Sequence, residues 1–234
     1  MGSSGVIFLI DSDNVQEANR DVMRLPVGAV GMPKPLAVAC MMKALYPDAQ
    51  VVPVVGTISD RQAAEAVALS HLTVSCVDRN ASRLAVAALC SRYNRVHLDL
   101  AGGGTYTQSG AIAIGGEVRL YVPGSGRGCV GCFGDRNVLA SMQELDSTAG
   151  DELHRRLTNP WQLERPGSCG ALLYSVAGTA MHLLWRLLQG HQRDSVWLHL
   201  DANDSQPIWH DWTGKAWKQI CPICRLNGAG DWHE

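Results

Sequence analysis

Short apolar runs alternate with longer helical patterns through the first hundred residues. Each run is short enough to be a buried strand. The runs are Gly5–Ile10, Val51–Val55, Leu72–Val77 and Val96–Leu100. Between them, apolar side chains recur three or four positions apart, which predicts helices over residues 33–45, 59–69 and 81–93. This alternation predicts an α/β fold, with a Rossmann-like sheet flanked by helices.

The pattern changes after residue 100. Gly102-Gly103-Gly104 is interpreted as part of a loop, and Gly115-Gly116 as the two-residue connection of a β-hairpin. A polar segment over residues 146–167 is interpreted as a crossing connection. Leu172–Leu188 then has the longest apolar helical pattern in the chain, so a buried helix is predicted there. Two late strands are predicted at 196–200 and 207–209.

Composition narrows the classes of function. The net charge is −2, from 20 Lys+Arg against 22 Asp+Glu, so no broad basic surface indicates a nucleic-acid partner. No apolar run approaches the roughly 20 residues that span a bilayer, and Gly5–Ile10 lacks the basic leader of a signal peptide. We therefore expect no membrane partner and a cytoplasmic location.

Two C-x₂-C pairs, far apart in the sequence, suggest a metal site. They are Cys129/Cys132 and Cys221/Cys224. Two such pairs complete the tetrahedral Cys₄ shell that structural Zn²⁺ prefers, so a zinc-bound C-terminal subdomain is predicted. The alternative is four unrelated thiols, or disulfides in an oxidising compartment. Three other cysteines are predicted to fill the core: Cys40, Cys76 and Cys90.

Acidic residues follow the first predicted strand. Asp11-Ser12-Asp13 lies where doubly wound sheets bind nucleotides, although Asp is also a common turn residue. The stretch Asp11–Asn19, the pair Pro33-Lys34 and the segment Asp78–Arg83 follow in order. With the hairpin, the cysteine turns and the helix after Gly170, this set resembles the ThiF/MoeB branch of the ubiquitin-activating adenylyltransferase family.

The resemblance implies a reaction and a set of residues. ATP would react with the C-terminal glycine carboxylate of a ubiquitin-like or sulfur-carrier protein, giving an acyl-adenylate and pyrophosphate. Lys34 would pair with phosphate oxygens and Asp78 would hold Mg²⁺. Nucleotide contacts are implied for Asp11 and Asp13 at the ribose, and for Asn19 and nearby Arg20. Taken singly, Lys34 could be a solvated lysine and Asp78 a helix N-cap.

The chain departs from the family at three places. Arg79 stands between Asp78 and Asn80, which are adjacent in the family's D-N-x-x-x-R segment. Val22 stands where the family has an arginine, which leaves Arg20 and Arg24 as nearby candidates. The family's N-terminal strand and glycine-rich phosphate loop should precede Gly5–Ile10, and both are apparently absent. Without such backbone N–H groups, ATP phosphates lose their main cradle. Another segment or chain could supply the loop.

Cys169 is the candidate nucleophile. It lies in Pro166–Gly170 at the start of the predicted helix, where the helix dipole would lower its thiol pKa. Thioester-forming family members carry their cysteine in this neighbourhood, a few residues earlier. The alternative is a small residue that serves packing alone.

These observations lead to one domain and three hypotheses of function. We expect a single ThiF-like adenylation domain over residues 1–234, with a nucleotide-binding half 1–100 and the hairpin, crossover, helix and zinc-bound tail in 101–234. The leading hypothesis is a homodimeric adenylyltransferase. The alternatives are a non-catalytic or split subunit that binds a ubiquitin-like protein, and an enzyme that modifies a short peptide. An NAD enzyme is disfavoured, because no G-x-G-x-x-G follows a strand.

Overall fold

The chain forms two compact units in the computed structural model. The structure describes residues 5–106, 112–132, 170–201, 208–210 and 221–230, without the side chains of 20–22, 105–106, 112–113 and 209–210. Unit 1 is Met1–Leu69 and unit 2 is Ser70–Glu234. That the whole chain acts as one adenylation domain stays a prediction.

Unit 1 contains a parallel pair of strands with three helices. Its elements are β1 (Val6–Asp11), α1 (Glu17–Met23), α2 (Lys34–Leu45), β2 (Gln50–Val55) and α3 (Arg61–Leu69). β1 pairs with β2 in parallel, from Val6 opposite Gln50 to Asp11 opposite Val55. The predicted strands and helices of this part are therefore confirmed to within two residues at each end.

The connection from β1 to α2 folds back on itself around Val15. Val15 is 2% exposed, and its N–H donates to the carbonyl of Met32 at 2.8 Å. Its own carbonyl accepts from the N–H of Gly31 at 2.9 Å, and Gly31 has a φ of +88°, which favours glycine. This closure brings the residues after β1 next to the start of α2.

Unit 2 is a five-stranded mixed sheet. Its elements are β3 (Leu72–Ser75), α4 (Asn80–Arg92), β4 (Val96–Tyr106), β5 (Ile112–Tyr121), α5 (Gly170–Leu188), β6 (Val196–Asp201) and β7 (Ile208–His210). The strand order is β3-β4-β5-β6-β7. β3 and β4 are parallel, and the other neighbours are antiparallel. The predicted α/β class, with parallel strands and helices, is confirmed.

The glycine runs lie inside strands, so their interpretation as loop and hairpin connection was wrong. Gly102 on β4 pairs with Gly116 on β5, and Gly103 pairs with Gly115. A Cβ atom on Gly116 would lie 2.3 Å from Cγ2 of Val176 on α5. Gly102 and Gly116 are needed because α5 packs directly on the hairpin at these two positions.

We therefore expect Gly116→Ala to destabilise unit 2 by about 1–3 kcal/mol, the usual range for an overpacked core. Gly178→Ala is the matched control, because a Cβ there on α5 meets nothing within 4 Å. That control should be neutral or stabilising by up to about 1 kcal/mol, since alanine favours the helix. Urea denaturation measures both, and equal stability of the two variants would contradict this packing.

Helix α5 is buried along one face and exposed along the other, which corrects the prediction of a buried helix. Its inner face packs against β4, β5 and β6 through Leu172, Val176, Ala180 and Leu183. Its outer face exposes Tyr174, Met181, Trp185 and Leu188. Among the described helices, α5 alone is long and apolar enough to cross a membrane by length and composition, and 22% of that stretch is buried.

Each unit has a parallel edge strand with apolar residues exposed. Within the described residues, β1 pairs with β2 alone and β3 pairs with β4 alone. Val6 on β1 is 48% exposed and Val74 on β3 is 49% exposed. Parallel strands are normally covered, so these edges are suited to a further strand.

Candidate functional site

The acidic end of β1 lies beside the start of α2. Lys34 Nζ donates to Oδ2 of Asp13 at 2.8 Å, and the backbone N–H of Lys34 donates to the carbonyl of Asp13 at 2.8 Å. The Lys34 side chain is 20% exposed, against 62% for Asp13. Asp11 Oδ1 accepts from the N–H of Asp13 at 2.8 Å, which fixes the turn. The structure thus brings Asp11, Asp13 and Lys34 together.

The two other predicted nucleotide contacts in unit 1 have different outcomes. Asn19 Oδ1 accepts from the N–H of Gln16 at 2.9 Å, so its oxygen caps the first turn of α1. The side chain of Arg20 lies outside the described residues. Nucleotide binding by both stays a prediction.

Asp78 belongs to unit 2, on the turn between β3 and α4. The turn spans residues 76–79, after Ser75 ends β3 and before Asn80 begins α4. The side chain of Asp78 is exposed. A carboxylate at the carboxyl end of a parallel strand is where an α/β sheet offers a ligand for Mg²⁺.

Behind this turn lies a buried charge cluster that the sequence did not reveal. It consists of Ser75, Arg83, His97, Asp99 and Arg119, each less than 5% exposed. Asp99 Oδ2 accepts from Nη1 of Arg119 at 2.8 Å and from Nη1 of Arg83, and Asp99 Oδ1 accepts from Ser75 Oγ at 2.7 Å. Arg83 Nη2 donates to the carbonyl of Val77, inside the Asp78 turn, at 2.5 Å.

The cluster contains serine, histidine and aspartate but is not a catalytic triad. The hydroxyl hydrogen of Ser75 goes to Asp99, so Nε2 of His97, 2.7 Å from Ser75 Oγ, must be the donor to that oxygen. Among the described residues, His97 Nδ1 has no hydrogen-bond partner, whereas a triad needs an acid there. Burial lowers the pKa of His97 to about 4, so the imidazole is neutral.

The charges of the cluster balance. Burial alone would raise the pKa of Asp99, but the Arg83 guanidinium beside it holds that pKa below its ordinary value. Arg119 also pairs with Glu117, which lies two residues earlier on the same face of β5. Two guanidiniums are therefore matched by two carboxylates, as buried charges require.

The four predicted metal ligands form a second site in unit 2. Their Sγ atoms all lie within 4.8 Å of one another. Neighbouring sulfurs are 3.8 Å apart between Cys129 and Cys221, and 3.5 Å apart between Cys132 and Cys224. A tetrahedral Zn²⁺ with Zn–S bonds of about 2.3 Å needs sulfurs roughly 3.8 Å apart. The geometry of the cluster therefore fits a structural zinc ion.

Donor chemistry and packing agree with this fit. Four cysteine sulfurs are the donor set of a structural Zn²⁺ site, and hydrogen bonds among them lower the pKa of the Cys221 thiol and raise that of the Cys129 thiol. Cys129 is 1% exposed, and the cluster packs against Leu84 and Ala87 of α4. The tail also bonds α4 directly, since the N–H of Gly228 donates to the carbonyl of Ser91 at 3.0 Å.

The burial of the remaining cysteines differs from the prediction. Cys90 is fully buried, as expected, and burial raises its thiol pKa to about 12. Cys40 and Cys76 are exposed, so their assignment to the core was wrong. Cys40 lies on the outer face of α2, and Cys76 on the turn after β3. Cys169, the candidate nucleophile, lies outside the described residues.

Comparisons with known proteins give the family and the fold. The sequence profile of the ThiF family matches residues 1–222. No curated protein matches the sequence. Among solved structures, E. coli MccB with SeMet MccA aligns at a TM-score of 0.65 and 14% identity, covering 94% of this chain and 59% of that one.

Two further structures support the same fold. E. coli MccB with ATP aligns at a TM-score of 0.63 and 16% identity, covering 94% of this chain and 59% of MccB. PaaA aligns at 0.60 and 15% identity, covering 89% of this chain and 56% of PaaA. The chain thus spans about three fifths of the length of these neighbours, and identities this low establish the fold alone.

Proposed function

Because the chain belongs to the ThiF family, we propose that it takes part in the ATP-dependent adenylation of a C-terminal carboxylate. The observation that carries this proposal is the contact between Lys34 and Asp13 at the carboxyl end of β1. It places a cation beside two carboxylates, of which that of Asp13 is exposed, where α/β sheets bind nucleotides. The fold shared with ATP-bound MccB supports it.

The proposed reaction joins two anions. A carboxylate oxygen of the substrate attacks the α-phosphorus of ATP, the bond to the bridging oxygen breaks, and pyrophosphate leaves. Lys34 would leave Asp13 for phosphate oxygens and offset the repulsion between substrate and triphosphate. Asp11 and Asp13 would then be free to accept hydrogen bonds from the ribose hydroxyls.

A magnesium ion would complete the charge balance. Asp78 would hold it, because an exposed carboxylate is the ligand Mg²⁺ prefers. When bound, the ion would neutralise part of the triphosphate charge. That Asp78 takes part in this reaction is a prediction of the proposal.

We expect the full-length protein to catalyse exchange of labelled pyrophosphate into ATP only when its carboxylate substrate is present. A panel of ubiquitin-like and sulfur-carrier proteins ending in glycine tests the leading hypothesis. The control is each carrier protein without its last glycine. In this control the C-terminal carboxylate lies one residue further back and should not reach the position where it reacts. Exchange that is absent with all carriers and all peptides would contradict the enzymatic proposal.

The peptide alternative has its own support. MccB, the microcin C7 biosynthetic enzyme, is bound to N-formylated MccA in one neighbouring structure. If this chain acts likewise on a short substrate, exchange should depend on a free peptide C-terminus and should disappear when that terminus is amidated. Dependence on a folded carrier protein would contradict the peptide alternative.

The split-subunit alternative is supported by the open edges of β1 and β3. A strand and phosphate loop from another segment or chain could pair there, while this chain recruits a ubiquitin-like protein. Co-purification in a stable complex with a glycine-loop-bearing homologue would favour this alternative over the proposed homodimer.

The seven described cysteines are free thiols, which supports a cytoplasmic location.

A further inference from the structure

Arg83 links the centre of the buried charge cluster to the Asp78 turn. One nitrogen of its guanidinium donates to Asp99 and the other donates to the carbonyl of Val77. Nη1 also lies 3.3 Å from the carbonyl of Leu100. The donors of a guanidinium are fixed in one plane, so Asp99 on β4 determines where the Val77 carbonyl can lie.

The cluster is poorly explained as a source of stability. Burying paired charges is often no better for folding than well-packed apolar residues of the same volume. What the arrangement does provide is a fixed geometry. The carbonyl of Val77 is held inside unit 2, and the next residue, Asp78, has an exposed side chain.

The two arginines that bond Asp99 differ in their carboxylate partners. Arg119 is matched by Glu117 on its own strand, β5, whereas Arg83 has Asp99 as its carboxylate partner. Ser75, the last residue of β3, donates to the other oxygen of Asp99. The two ends of the connection, Ser75 before the turn and Arg83 in the first part of α4, are therefore fixed on one buried carboxylate.

We propose that Arg83, oriented by Asp99, is a positioning residue that holds the 76–79 turn in the conformation in which Asp78 binds a magnesium–nucleotide complex. The inference rests on the proposed function for the role of Asp78. It extends that function to a buried pair that touches neither nucleotide nor metal.

Arg83→Lys tests the proposal with little change of charge. A lysine ammonium cannot bond Asp99 and the Val77 carbonyl in the same planar arrangement, so the turn should open more often. Hydrogen–deuterium exchange should become faster at the amides of residues 76–79 and stay unchanged in α5. The magnesium midpoint for binding of a fluorescent ATP analogue should rise by about 10- to 100-fold, the usual effect of losing an outer-shell partner.

Arg119→Lys is the matched control. Arg119 is equally buried and bonds the same oxygen of Asp99 on β4, and it also contacts Glu117 on β5 and Trp197 on β6. It should leave turn exchange and the magnesium midpoint close to wild type. If Arg83→Lys does not fold, Asp99→Asn replaces it, since the isosteric amide removes the charge that orients Arg83 and should loosen the same turn.

The outcomes separate this inference from the proposed function. Unchanged exchange at residues 76–79, an equal effect of Arg119→Lys, or a loosened turn with an unchanged magnesium midpoint would each overturn the positioning role. A wild-type protein that binds no ATP analogue would instead contradict the proposed function, and with it the role of the turn in metal binding.

Discussion

Replacing Lys34 by alanine is expected to reduce ATP–pyrophosphate exchange by about 10²- to 10³-fold, the usual effect of removing one preorganised charge partner. The amine lies at the start of α2 with one fifth of its side chain exposed, held at 2.8 Å by Asp13. Its loss leaves the repulsion between carboxylate and triphosphate uncompensated. Stability should change little, because exposed ion pairs contribute about 0–1 kcal/mol.

Lys43→Ala is the control for this prediction. Lys43 lies in the last turn of the same helix and is exposed, so the variant removes an equal charge far from β1's end. Exchange kinetics and thermal unfolding should be measured for both variants. Equal activity of Lys34→Ala and Lys43→Ala, with both proteins folded, would remove Lys34 from the reaction.

The order of strands and helices was predictable because local chemistry determines it. The apolar run before Asp11 is too short for a long helix and forms a strand, and Pro33 and Pro35 suit the first turn of a helix. The same applies to the cysteine pairs, whose spacing alone predicted four converging sulfurs. In each case the residues that carry the local pattern lie within a few positions of one another, although the two cysteine pairs themselves are 92 positions apart.

The strand glycines could not be interpreted from local pattern. Glycine is typical of turns, so Gly115-Gly116 between two apolar runs indicated a hairpin connection. Position 116 requires glycine because Val176 of α5, about 60 residues later in the sequence, occupies the space that a side chain there would need. Sequence alone gives no sign of which helix packs on which strand.

The buried charge cluster was not predicted from the sequence, for a related reason. Asp99 occurs within an apolar run that was predicted as a strand, and Arg119 lies within another. Nothing in the segment of Asp99 marks it as buried and paired, and Glu117, two positions before Arg119, does not by itself indicate that this arginine is buried. Only the pairing of β4 with β5, which places Asp99 opposite Arg119, turns two isolated charges into a network.

Three features of the structure support the candidate residues. In unit 1 the backbone of the β1–α2 connection, closed around Val15, brings Lys34 to Asp13. In unit 2 buried charges hold the turn of Asp78 from inside, and the tail is tied to α4 by the cysteine cluster. Variants that disturb the first two features should therefore change activity, and variants that disturb the cysteine cluster should change stability.

Removal of the metal is expected to have the largest effect on stability. We expect about one Zn²⁺ per chain, since four sulfurs converge on one point. At free zinc about 1,000 times above Kd, binding stabilises the folded state by about 4 kcal/mol, and this is lost when zinc is removed. Residues 221–230 should then separate from α4, because the cluster joins cysteines 92 positions apart.

Cys221→Ser should reproduce the effect of a strong chelator, while Cys40→Ser, at an exposed thiol outside the cluster, should not. Zinc content, thermal unfolding and fluorescence of Trp197, which packs against the cluster, measure the change. A Cys221→Ser protein that keeps one zinc per chain and an unchanged Tm would contradict the metal site. A metal-free wild type with native Trp197 fluorescence would show that hydrogen bonds to α4, such as that from Gly228 to Ser91, hold the tail without the ion.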